Sequence, residues 1–115
     1  MTEELKPSDV LDRAADLMEE RGWYRGFFIS DDGAVCHLGA IYAAAGRHVH
    51  RQSTGGTWFR VIDDRVDEPR RAVYWDCMAI GEASIPAWND IRCQSKDEAV
   101  AKLREAARMA REAGE

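Results

Sequence analysis

The chain has 115 residues, 45% of them hydrophobic and four of them tryptophan, enough apolar surface for one domain to offset its chain entropy without staples. A formal net charge of −5 provides no general basic face for nucleic acid or a membrane surface, and no apolar run approaches the ~20 residues of a membrane span. Three widely spaced cysteines, Cys36, Cys77 and Cys93, with no C-x-x-C pair, fit neither a disulfide framework nor the usual zinc site. With no basic-then-apolar layout in MTEELKPSDV, the expected location is the cytoplasm.

In chain order, Ser8 follows Pro7 as the expected N-cap of a first helix. Val10, Leu11, Ala14, Leu17 and Met18 recur at helical spacing, and Gly22 stops the run. RGFFIS-DDG-AVC then predicts a short hairpin over about 25–36, turning at Asp32-Gly33. A second helix is predicted over about 38–45, with Leu38, Ile41, Tyr42 and Ala45 as its stripe. Its small residues Gly39 and Ala40 suit a close neighbour. Residues 46–57, GRHVHRQSTGGT, have no acid and little periodicity and read as a loop. TWFRVI (57–62) reads as one further short strand. Pro69 opens a third helix with Val73, Cys77 and Ile80 as its stripe. IPAWND (85–90) reads as a compact turn. Ser95 and Glu98 make a capping box ahead of a last helix bearing Val100, Leu103, Ala107 and Ala110. The expected fold is a mainly helical α+β domain over 1–115, with an ordered core of about 8–112, four helices and a small hairpin.

Cys36 stands where strand gives way to helix, a position that arms a thiol. With His48 or His50 as base and Asn89 or Asp90 as orienting group it supplies the residue types of a cysteine hydrolase. The signatures of such enzymes are absent, and Val35, Leu38 and Ile41 surround the thiol with apolar side chains. Cys36 is therefore read as a small core residue, and no catalytic residue is assigned. His48-x-His50 with Cys36 or His37 lacks the paired spacing of structural zinc, so no metal and no cofactor are expected. Arg47, His48, His50, Arg51, Trp58 and Arg60, around Gly55-Gly56, form a basic stretch that suits an anionic group or a partner. Trp23, Cys36, Gly39, Ala40, Trp88, Asn89 and Asp90 are read as structural, Asn89-Asp90 capping a turn through their own side chains. Trp58 or Trp75 is the tryptophan expected to mark a contact surface, with weak homodimerisation one outcome.

AADLMEERGWYRG (14–26), GAVCHLGAIYAAAG (33–46) and IPAWND (85–90), followed by a last helix, form an ordered set. This set resembles a family of small uncharacterised domains from actinobacteria and their phages, with G-W-x-x-G, C-x-x-G-A-[IL] and W-N-D landmarks over about 8–110. The resemblance implies a compact, mostly helical domain and brings no catalytic residues. It also implies a phage or phage-derived accessory role, in which a small acidic protein binds a host protein. The expected function is thus a non-enzymatic binding module with a protein partner and no membrane or nucleic-acid ligand. The alternatives are a hydrolase using Cys36 and an acidic mimic of DNA, whose carboxylates in 3–20 and 63–76 would share one face.

Overall fold

The computed structural model describes residues 6–26, 30, 32–45, 52–54, 57–59 and 70–115, the side chains of the two segments between 52 and 59 excepted. Five helices carry it: α1 (Pro7–Arg21), α2 (His37–Ala44), α3 (Arg70–Ile80), α4 (Ile85–Ala87) and α5 (Lys96–Glu112). A π-helical turn, Trp88–Arg92, continues α4.

The α+β assignment is overturned, since helices hold most of the described residues and, among those residues, the hairpin expected over about 25–36 does not form. Asp32-Gly33 does turn the chain: Gly33 takes φ +92° and its N–H donates to the Ser30 carbonyl at 3.1 Å. The arm that follows finds a different partner. Val35 makes a single parallel bridge to Trp23, with Tyr24 N–H donating to the Val35 carbonyl and Val35 N–H to the Gly22 carbonyl. Burial of Val35 between helices decides the pairing, because a two-stranded hairpin has little stability of its own. The other ladder among the described residues pairs Gln52–Thr54 with Thr57–Phe59 antiparallel, three residues on each side and no sheet layer. Phe27, Phe28 and Ile29 lie outside the described residues.

α1 and α5 are the framework. Periodic apolar residues put Leu11, Ala14, Ala15 and Met18 on one face of α1, and Ala99, Leu103, Ala106, Ala107 and Ala110 on one face of α5, all fully buried. Alanines on both faces let the two backbones approach closely. Asp12 meets Arg104 and Arg111, Asp16 meets Arg104, and Ser8 meets Glu115, so the helices run antiparallel. α2 packs on α1, and α3 packs on α5.

The helix ends follow local chemistry. Pro7 occupies the first turn of α1, so Lys6 is the N-cap; Ser8, the cap expected from sequence, is buried and its hydroxyl donates to the Glu115 carbonyl. Ser95 caps α5 by accepting from Glu98 N–H, while the Glu98 carboxylate reaches back to Gln94 N–H. At the other end Glu115 N–H donates to Ala110 O and Gly114 N–H to Arg111 O, the paired bonds of a Schellman stop. Gly114 supplies the φ of +84° this stop requires, with open space where a Cβ would stand. Gly114→Ala is therefore expected to cost about 1–2 kcal/mol through backbone strain alone, read as a lowered midpoint in urea unfolding with an unchanged helical spectrum.

Candidate functional site

The polar interior lies where α2, α3, α5 and the π turn meet. His37, at the first turn of α2, has no solvent exposure. Its Nδ1 lies 2.7 Å from Asp76 Oδ2 on α3, and its Nε2 lies 2.7 Å from the Ala99 carbonyl on α5. A carbonyl only accepts, so Nε2 carries a hydrogen and donates it. One further proton then lies between Nδ1 and Oδ2. Whichever atom holds it, the pair is neutral as a whole, which is what a fully buried site demands. Trp88 packs edge-on against the imidazole with ring centroids 4.8 Å apart. Asp76 Oδ1 is buried and has no hydrogen-bond partner among the described residues.

Asn89 is the second buried polar group. The π turn, closed by Cys93 N–H donating to the Trp88 carbonyl, turns its side chain inward while leaving Ile91 74% exposed. Asn89 Oδ1 accepts from Trp23 Nε1 at 2.8 Å and from the His37 backbone N–H at 3.0 Å. Its Nδ2 donates to the Tyr24 carbonyl and to Asp90 Oδ1. Asn89 therefore ties three segments together across the interior, beyond the turn cap read from sequence.

Cys36 is the N-cap of α2, and its Sγ accepts from Gly39 N–H at 3.3 Å. It is only 4% exposed. The neighbouring His37 ring does not serve it, since both ring nitrogens are engaged elsewhere. Gly39 and Ala40 are buried beside it, and Trp88 and Asn89 are buried in the π turn, whereas Asp90 is exposed and Trp23 half-buried. Burial first, and then the charge of Asp76, pushes the Cys77 thiol up from its ordinary range. Burial also pushes Cys93 up. Both shifts disfavour thiolate. Arg47, His48, His50, Arg51 and Arg60 lie outside the described residues, and Trp58 is described only as a backbone partner of Ser53. No group of His, Cys, Asp and Glu among the described residues is arranged to hold a metal ion, and none of their helices is long and apolar enough to cross a membrane.

Sequence reasoning passed over Asp76 and weighed His37 only as a metal ligand. The available signal was an acid beside Cys77, on the inner side of the Val73–Cys77–Ile80 stripe. Its histidine partner, 39 residues away, is set by tertiary packing.

The carboxylates of α1 are largely paired. Arg104 engages Asp12, Asp16 and Glu19, and Arg111 engages Asp12. Asp76 faces inward, away from any acidic surface.

Fold and interior together define a small helical domain closed around a buried histidine–carboxylate pair. The chain belongs to a family of unknown function, DUF6197, whose model matches residues 2–109. No curated protein and no solved structure matches it.

The interior makes a specific demand on Asp76. Asp76→Asn retains a donor for Nδ1 and the same shape, so it is expected to cost under about 1.5 kcal/mol. Asp76→Ala leaves the imidazole with an unpaired nitrogen and is expected to cost about 3–5 kcal/mol. Denaturant midpoints of the two variants check the order.

Proposed function

We propose that this domain is a non-enzymatic binding module that acts through a protein partner. The observation that carries this reading is the division between interior and surface. The histidine and the thiol best placed for chemistry among the described residues, His37 and Cys36, are buried and engaged by protein groups. Apolar side chains stand outside instead: Tyr74 and Met78, one turn apart on α3, are 44% and 51% exposed, and Ile91 on the π turn is 74% exposed. The Glu82–Arg92 ion pair joins the segment that follows α3 to the π turn. Exposed aromatic and methionine side chains are typical anchors of protein interfaces.

The hydrolase reading receives less support, because a nucleophile needs access and a free base nearby. The DNA-mimic reading also receives less, because arginines of α5 already pair with α1 carboxylates. The resemblance to actinobacterial and phage domains supports an accessory role of that origin. Cys36, Cys77 and Cys93 lie in no disulfide, which suits a cytoplasmic location. Self-association through the same face is a weaker form of the reading.

Affinity capture with the immobilised domain from a lysate of the source cell provides the test. A discrete protein is expected to be retained by the parent and by Cys36→Ala, and lost with Tyr74→Ser/Met78→Ser when helical content is unchanged. Loss with Cys36→Ala and retention by the α3 double variant would contradict the reading.

A further inference from the structure

The first turns of α3 carry a preorganised set of donors. Arg71 lies over the Tyr74 ring, its guanidinium carbon 4.7 Å from the centroid, and 5.9 Å from the Trp75 ring. Tyr74 and Trp75 meet edge to face at 5.1 Å. The two rings hold the guanidinium fork in place. The fork grips the side chain of Glu115, with Arg71 Nε donating to Oε1 at 2.7 Å and the terminal nitrogen to Oε2 at 2.5 Å. Trp75 Nε1 adds a third donor to Oε1 at 3.2 Å. This is the two-pronged geometry by which arginine reads a carboxylate. The Arg71 side chain remains 56% exposed with Glu115 in place.

We propose that Arg71, Tyr74 and Trp75 form a carboxylate-reading cradle, occupied in cis by Glu115, and that an acidic residue of a protein partner replaces Glu115 there. The proposal rests on the binding-module reading and names the chemistry of the partner: a carboxylate flanked by apolar side chains. Three features support the exchange. The backbone of Glu115 is fixed independently, by the Schellman bonds and by Ser8, so only its side chain needs to swing away. An exposed ion pair contributes little net free energy, so one carboxylate substitutes for another at small cost. Exposed Met78 lies one turn beyond Tyr74 on α3 and gives an incoming partner an apolar contact next to the cradle. The donors also hold the Glu115 carboxyl below its ordinary range, Arg71 first and Trp75 second, so the group read is the anion.

The test uses the purified full chain and an acetylated amphipathic peptide with a single Glu and leucines one and two helical turns further on. A twin peptide has Gln in place of Glu. Binding is followed by calorimetry and by the NMR shift of the Trp75 Nε1–H. The parent is expected to bind the Glu peptide and to discriminate against the Gln twin. Glu115→Ala is expected to bind the Glu peptide about two- to fivefold more tightly, the factor by which an exposed pair competes. Arg71→Gln is expected to lose it. Both variants remove the same internal pair and share any loss of stability, yet affinity must move in opposite directions. Equal affinity in Glu115→Ala and the parent, binding that survives in Arg71→Gln, or no binding of the Glu peptide to any form overturns the cradle. So does a protein captured from lysate through Tyr74 and Met78 but unaffected by Arg71→Gln, which would leave the binding module itself standing.

Discussion

The side-chain amide of Asn89 is the contact on which the arrangement of the chain depends. It has two acceptor and two donor positions, and all four are used inside the protein, on Trp23, His37, Tyr24 and Asp90. Through Trp23 and Tyr24 it fixes the exit from α1. Through the His37 N–H it receives the start of α2, where a helix leaves backbone donors unpaired. Its own position comes from the π turn, which rotates one side chain inward that a regular helix would place elsewhere; π turns of this kind recur where side chains must be aimed. A buried amide with every bond made specifies one arrangement, because any shift of the three segments strands a polar group at a cost of about 1–3 kcal/mol each.

His37 extends this constraint to the other helices. Its ring joins α2 to α3 through Asp76 and to α5 through Ala99, and Trp88 closes one side of it. Buried ion pairs add little to stability compared with apolar packing. The effect of this pair is on specificity: α2 and α3 meet α5 in one register, which the smooth alanine faces of α1 and α5 do not impose. With the His37 ring and the Asn89 amide engaged internally, the domain offers its outer surface for recognition, and the aromatic and arginine side chains of α3 are the part of that surface best suited to it.

Much of the helical framework was legible in the sequence because its determinants are local. The stripe of α1, the Ser95–Glu98 box and the glycines after α1, α3 and α5 each act within one or two turns. The hairpin misreading has the opposite origin. Asp32-Gly33 does turn the chain, but buried Val35 pairs with Trp23, which is itself held by Asn89, 66 residues away. The landmarks G-W, C-x-x-G-A and W-N-D include Trp23, His37 and Asn89, without disclosing that Asn89 joins the other two. Asp76 was hidden for a related reason: a single acid on an amphipathic helix reads as solvated until the histidine opposite it is located. The cradle was hidden too, since Arg71, Trp75 and Glu115 come together only once α5 lies back along α3. The basic stretch Arg47–Arg51 and Arg60 lies outside the described residues.

The central claim is that the His37–Asp76–Asn89 network is sealed and structural. Native-state hydrogen exchange at the two ring donors tests it most directly, because His37 Nε2–H and Trp23 Nε1–H are the side-chain protons the network must protect. Both are expected to exchange only through global unfolding, with the same dependence on denaturant as the slowest amides of α1 and α5. Rapid exchange of the His37 ring proton in the folded protein, while those amides stay protected, would show an imidazole open to solvent and contradict the account.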